Sequence, residues 1–325
     1  MIEPSRAAAL LAAAAFALAA TLACGQPRYP SRPVRLVVPF APGGGSDLVA
    51  RSLAPRLAER LGQAVVVDNR PAASGIAGAD LVAKAAPDGH TLLAATVTFV
   101  ITSVLHPKLP YDGLRDFAPV TVAIATPLGL MTHPSVPAAT VQEFIAHARA
   151  HPGKLRYGSS GAGSVTHLAA ELFAAQAGLR MDHVPYKGIA ATIAAQLGNE
   201  VQVSFGNLFS TLGHWRGGRL RALGHGGTRR VEAFPEVPTL AEAGVPGFEA
   251  RIWYGYMVPA KTPGALVARL YREIAAVATA HEARSQFLAQ GNEVLAHSPE
   301  EFAQLVRAEA QRWGAIGRKL GVTLD

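Results

Sequence analysis

The chain is almost without cysteine: Cys24 is the only one among 325 residues. That excludes an internal disulfide framework, and it leaves the body of the chain with no thiolate metal site and no cysteine nucleophile. No H-E-x-x-H run and no acidic cluster of the calcium-loop type occurs, so neither a metal nor a cofactor is expected. Beyond the N-terminus no uninterrupted apolar stretch reaches 18 residues, so no further membrane span is expected. Dense runs of one charge are missing too. The net charge is +7, but lysine and arginine are dispersed. The tightest cluster, "HWRGGRLRALGHGGTRR" (214–230), is broken by glycine and reads as a solvated basic face. Without a zinc-finger, RNA-binding or basic-helix signature, nucleic acid is not an expected partner.

What is present is an apolar-rich chain, 50% hydrophobic, with 32 glycines and 23 prolines that punctuate rather than form low-complexity tracts. Its length suits two domains. The first residues, "MIEPSRAAALLAAAAFALAATLACGQPRYP", combine Arg6 with an apolar run from Ala7 to about Ala23 and end in small residues. This is the pattern of a secretory signal peptide over residues 1–25, cleaved after Ala23 or Gly25, with a retained anchor as the alternative. Lipidation at Cys24 is a further alternative, although Thr21 stands where a lipoprotein signal usually has leucine.

Downstream, "PVRLVVPF" (33–40) reads as a buried strand and "SDLVARSLAPRLAERLG" as a helix capped by Ser46 or Asp47. Leu48, Leu53, Leu57 and Leu61 mark its apolar face, and Pro55 predicts a kink or a late start. "AVVVDN", a helix over "ADLVAKAA" and a strand in "PDGHTLLAAT" follow. The alternation restarts at "LGLMTHPS", and the chain closes with "RIWYGYMVPA" and helices near 263–280, 282–290 and 299–320. Strands alternating with helices at this spacing predict parallel, doubly wound sheets.

Two segments share one design. "PFAPGGGSDLVA" and "YGSSGAGSVTHLAA" each run from a strand through a glycine-rich loop and a hydroxyl-bearing cap into a helix. A helix N-terminus carries unpaired N–H groups and about half a positive charge, and glycines let a ligand approach the backbone. Each loop is therefore a candidate anion cradle, or a plain tight turn. The Walker lysine, the dinucleotide G-x-G-x-x-G spacing and the G-x-S-x-G elbow, which fails at Ala162, are all absent. A hydrolase would have to use Ser160 or Ser164 with His167 as base and Asp182 as orienter. Capping by Ser164 explains the Ser164–His167 spacing more simply.

With these motifs in view, the chain resembles the tripartite tricarboxylate transporter substrate-receptor family, the Bug solute-binding proteins. The resemblance is carried by "YPSRPVRLVVPFAPGGGSD", "NRPAASGIAGADLVAKAAPDGHTLL", "LPYDGLRDFAPV", "YGSSGAGSVTHLAAELF", "HVPYKG", "GRLRALG", "FPEVPTLAEAGVPGFE" and "WYGYMVPAKTP". It implies a type II-like periplasmic binding protein: two doubly wound α/β lobes with a ligand cleft between them. Lobe 1 would be 27–128 plus 252–325 and lobe 2 129–251. It also implies a periplasmic, monomeric receptor without catalytic activity, which binds a small carboxylate and has membrane permease subunits as partners; a sensor for a membrane signalling partner is the alternative. The ligand residues it carries over are Phe40, Gly43, Gly44 and Asp47; Ser74 and Gly75; Thr96 and Thr98 at the end of the third strand; Gly161, Gly163, Ser164 and His167; Tyr186 with Lys187; and Asn207. Asp47 could instead cap its helix, and His167 could serve packing. Two departures bear on the ligand. The family usually has Asp-Asn where "SFGN" puts Gly206 before Asn207, and Phe99 and Val100 in "TVTFVIT" suggest an apolar pocket wall. Together they favour an aromatic or alkyl carboxylate over citrate or an amino acid.

Overall fold

The computed structural model describes residues 29–71, 73–322 and 324. The expected signal peptide, its candidate cleavage sites and Cys24 lie outside the described residues. Among the described residues no helix is long and apolar enough to cross a membrane.

The β-branched run forms β1 (Val34–Val38), flanked in parallel by β2 (Val65–Asn69) and β3 (Thr91–Thr96). Helices α1 (Gly45–Leu61), α2 (Ile76–Ala83) and α3 (Val97–Leu105) follow these three strands. A second parallel set is β5 (Arg156–Ser159) between β6 (Asp182–Pro185) and β7 (Val203–Asn207). Its helices are α4 (Val141–Ala150), α5 (Val165–Ala177), α6 (Ile189–Leu197) and α7 (Leu208–Arg216).

The parallel expectation fails where the sets meet. The 16-residue β4 (Phe117–Thr132) is shared by both. Its residues Phe117–Pro127 pair antiparallel with β9 (Arg251–Pro259), which also pairs antiparallel with β3. From Leu128 onward β4 pairs antiparallel with β7, and from Gly129 with β8 (Arg221–His225). One strand thus passes from one sheet to the other. The short β10 (Glu293–Val294) joins β4 near Ile124, and α8 (Gly264–Thr279), α9 (His281–Ala289) and α10 (Pro299–Lys319) complete the chain.

Two local expectations about α1 need correction. Neither Ser46 nor Asp47 caps it: the helix starts at Gly45 with Gly44 as a cap that makes no side-chain bond. The helix also runs unbroken through Pro55. Val49, Leu53, Ala54, Leu57 and Leu61 are buried around the proline, and packing of this face outweighs one lost backbone bond. Leu48, in the first turn, does not join that face and is exposed.

Candidate ligand cleft

The two glycine-rich loops face each other across the junction of the sheets, but they are wired differently. In the first, Asp47 folds back so that its Oδ2 accepts from the Gly43 N–H (2.9 Å). Its Oδ1 accepts from Arg51 Nε (2.9 Å) and Asn69 Nδ2 (3.0 Å). Burial opposes the charge, yet these donors outweigh it and hold the Asp47 carboxyl below its ordinary range. Asp47 therefore shapes the loop. Gly43 takes φ +82°, and its N–H is spent within the loop. The N–H groups of Gly44, Gly45 and Ser46 have no acceptor among the described residues. They form the open end of α1.

The second loop spends most of its donors within itself. Ser160 N–H donates to Thr166 Oγ1 (2.9 Å), Gly161 N–H to Ser159 Oγ (3.3 Å) and Gly163 N–H to His167 Nδ1 (3.1 Å). Ser164 N–H donates to the Gly161 carbonyl (3.1 Å), and Ser164 Oγ caps α5 by accepting from His167 N–H (3.3 Å). Val165 N–H reaches across to Thr98 Oγ1 (3.2 Å). Backbone donors therefore dominate one loop, and hydroxyls the other.

Between the loops lies a narrow inner chamber of about 40 Å³. Gly44, Gly45 and Ser46 line it with Thr96, Thr98, Ser160, Thr166, Asn207 and Tyr254, and Phe40, Leu128, Ile189 and Ile252 supply apolar surface. Among the described residues no charged side chain lines it. Phe40, Ala41 and Ser160 also border a wider outer chamber of about 480 Å³. That chamber receives Ser74, Gly75, Gly161, Tyr186 and Lys187, together with His106.

The structure thus brings Phe40, Gly44, Thr96, Thr98 and Asn207 to the inner chamber and Ser74, Gly75, Gly161 and Tyr186 to the outer one. Gly43, Asp47, Gly163, Ser164 and His167 line neither and hold the loops. Thr98 is not at a strand end; it sits in the first turn of α3, which Thr96 Oγ1 caps by accepting from Thr98 N–H (3.2 Å). Phe99 and Val100 are not part of the inner wall. Phe99 packs edge-on against Phe117 at 5.0 Å, because a helix rather than an extended strand follows Thr96, and it borders only a minor cavity of about 10 Å³ with Phe40, Ser74, Gly75 and Thr96. Ile189 takes the apolar role, and a Cβ at Gly206 would lie 3.3 Å from its Cδ1. Ser46, Ser160, Thr166, Ile189 and Tyr254 were missed as candidate ligand contacts. The sequence signal for Ser160 and Thr166 was present, as hydroxyls flanking the glycines; none marked Tyr254.

The hydrolase triad is not assembled. Ser160 Oγ and Ser164 Oγ both engage Thr166 Oγ1, at 3.0 and 2.9 Å, and His167 Nδ1 is occupied by Gly163 N–H. Two serines among the described residues meet an imidazole side chain to side chain: Ser135, exposed and 2.8 Å from His133 Nδ1, and Ser159, fully buried and 2.6 Å from His183 Nε2. The rings of His167 and His183 stack at 3.9 Å, and burial lowers both pKa values to about 4, the His167 ring also lowering that of His183. His147 and His151 stand one turn apart on α4, but among the described residues no group of three metal-type ligands converges.

Among the described residues three hydrogen bonds cross the cleft: Val165 N–H to Thr98 Oγ1, Ser74 Oγ to the Ala162 carbonyl (2.7 Å) and Asn207 Nδ2 to Tyr254 Oη (2.7 Å). Ser74 makes its bond from a left-handed backbone, φ 53° and ψ 27°, which is strained for a residue with a Cβ. Ser74→Ala keeps the strain and loses a bond worth about 1 kcal/mol. Stopped-flow measurement should find release of a bound carboxylate accelerated by roughly fivefold; an unchanged off-rate would remove Ser74 from the closure contacts.

Two sheets joined by crossing strands, with facing helix N-termini at a cleft between them, define a two-lobe type II-like periplasmic-binding-protein fold. The chain belongs to the tripartite tricarboxylate transporter receptor family: the description "Tripartite tricarboxylate transporter family receptor" matches residues 49–322. It is 37% identical over 298 residues to Protein BugT of Bordetella pertussis, covering 91% of each chain. Among solved structures it is similar to R. palustris Rpa4515 with adipate, at 35% identity and TM-score 0.88 over 91% of this chain and 99% of that one. It is similar also to MatC from Rhodopseudomonas palustris with bound malate, at 31% identity and TM-score 0.84 over 89% and 99%.

Proposed function

We propose that this chain is a periplasmic receptor that closes its two lobes around a small carboxylate and hands it to membrane permease subunits, without chemistry of its own. The observation that carries the reading is the open N-terminus of α1 at the floor of a chamber lined by no charged side chain. Three unpartnered N–H groups and the helix dipole suit an oxyanion there, and burial strengthens each bond. Adipate and malate in the two related structures support the ligand class. The lobes are 27–128 plus 252–325 and 129–251, in keeping with the change of β4 pairing between Pro127 and Leu128 and the return crossing at Arg251.

Phe40, Leu128, Ile189 and Ile252 favour an aliphatic or aromatic acid. With Gly206 in place of a carboxylate, nothing acidic among the described residues lines the inner chamber to accept from an ammonium group, which disfavours amino acids. The inner chamber takes the head group, and Ser74, Gly161, Tyr186 and Lys187 meet the remainder in the outer one.

Uptake of a labelled acid that the purified protein binds tests delivery. Deleting the receptor or the permease should abolish uptake equally. Uptake that survives loss of the receptor, with only induction of a response lost, would contradict delivery and favour a sensor.

A further inference from the structure

Tyr254 lies on β9 and Asn207 at the end of β7, in different sheets and 47 residues apart. The direction of the hydrogen bond between them is fixed from outside the pair. Asn207 is the N-cap of α7, where its Oδ1 accepts from the Ser210 N–H (3.1 Å) and from the Ser210 hydroxyl. A backbone N–H can only donate, so the amide cannot be turned over. Its Nδ2 must face Tyr254, and the Tyr254 oxygen must accept (2.7 Å). The Tyr254 proton is therefore free, and no described residue accepts it. Burial raises the Tyr254 pKa, with the Asn207 bond opposing, so the phenol stays protonated at neutral pH.

That proton has one useful place to go. A Cβ built on Gly45 would stand 2.2 Å from Tyr254 Oη and 2.4 Å from Asn207 Nδ2, so both groups sit directly over the first turn of α1. The N–H groups of Gly44, Gly45 and Ser46 and the Tyr254 O–H then converge on one chamber from two sheets.

We infer that Tyr254 is a ligand-contacting, specificity-determining residue whose hydroxyl donates to an oxygen of the bound carboxylate, and that Asn207 is a positioning residue that keeps this proton pointed at the ligand. This rests on the reading of the cleft as a carboxylate site. The start of α7 sets the polarity of a relay: the α7 N–H orients Asn207, Asn207 orients Tyr254, and Tyr254 presents a donor. The bridge also spans the sheets, so the donor is in place only when the lobes are together. The chamber then reads an acceptor-only head group in its closed form.

The test is titration calorimetry of wild type, Tyr254→Phe and Asn207→Asp with benzoate, adipate, malate and citrate. Tyr254→Phe removes one charge-assisted donor and should weaken binding of every acid that wild type binds by roughly ten- to a hundredfold. Asn207→Asp still caps α7, but the introduced carboxylate accepts the Tyr254 proton and faces the bound anion. Its deficit should exceed that of Tyr254→Phe at pH 8, and it should narrow toward pH 5.5 as the introduced group takes up a proton. A merely structural role would give a deficit that does not respond to pH, and the melting temperatures of the ligand-free proteins report on folding separately. If wild type binds an acid and Tyr254→Phe binds it within twofold, the inference is overturned and the cleft reading stands. If wild type binds none of the acids, both fall.

Discussion

Gly45→Ala is expected to abolish tight binding of a carboxylate while leaving the chain folded. Gly45 is the first residue of α1 and needs no positive φ, so alanine suits its backbone and favours the helix by up to about 1 kcal/mol. On local grounds the substitution should stabilise. The obstacle is across the cleft: the new methyl would meet Tyr254 Oη at 2.2 Å and Asn207 Nδ2 at 2.4 Å, both buried and bonded to each other. Neither is the loose end of a flexible side chain. Lobe separation is the cheapest relief, and it breaks the Asn207–Tyr254 bridge and opens the chamber. Affinity should fall by at least about a hundredfold, the loss of some 3 kcal/mol expected when overpacking adds to a lost bridge. The ligand-free melting temperature should change by no more than a few degrees. Scattering should give a larger radius of gyration than wild type in the presence of ligand. Wild-type affinity in this variant would mean that the cleft residues do not close on one another.

The second large effect is on stability against acid. His167, His183 and His225 are drawn to pKa values of about 4 by burial, against an ordinary 6.5. For His183 the neighbouring His167 lowers it further and Glu171 opposes; for His225 Glu242 opposes and Arg230 assists. Between pH 6.5 and 4 the unfolded chain holds these protons and the folded chain does not. Their contribution is therefore complete above pH 6.5 and is lost as pH falls toward 4. For the fully buried His225 such a shift is on the order of 3 kcal/mol over that window; the stacked His167–His183 pair, of which His183 is only partly buried, titrates as a unit. The total is a large share of a typical 5–15 kcal/mol. Urea unfolding at pH 7.5, 6, 5 and 4.5 should show a steep decline that begins near 6.5. His167→Gln can still offer an acceptor to the Gly163 N–H and should flatten part of the slope. A stability that stays level from pH 7 to 4.5 would contradict the buried, neutral histidines.

Much of the fold was legible because its signals are local. The β-branched run before Gly43, the glycines themselves and the amphipathic run after them announce strand, loop and helix without reference to the rest of the chain. The repetition at 157–170 announces the second sheet in the same way. What was not legible depends on partners far along the chain. The antiparallel junction arises because β4 must serve two sheets, and no residue in "FAPVTVAIATPLGLMT" states that. Pro55 was weighed by its local cost, which the packing of Leu53 and Leu57 overrides.

At the candidate site the two loops looked alike, since glycine content reveals where a backbone can be approached but not which N–H groups are already taken. Asp47 takes one in the first loop; Thr166, Ser159 and His167 take three in the second. Tyr254 carries no sequence signal as a chamber-lining residue because its neighbours there, Gly45 and Asn207, come from distant parts of the chain. An apolar residue just past a strand can face a pocket or open a core helix, and Phe99 does both: it packs on Phe117 and borders a minor cavity beside Phe40, Ser74 and Thr96.

Whether a carboxylate is held between the lobes is decided by thermal unfolding of residues 26–325, first unfolded and refolded to strip any passenger. Aromatic, aliphatic, di- and tricarboxylic acids and amino acids form the panel. An acid present at a hundred times its Kd adds about 2.7 kcal/mol to the folded state. The melting temperature should rise clearly with aliphatic or aromatic carboxylates, less with citrate and not at all with amino acids. A rise confined to amino acids, or no rise with any carboxylate, would contradict a carboxylate held between the lobes.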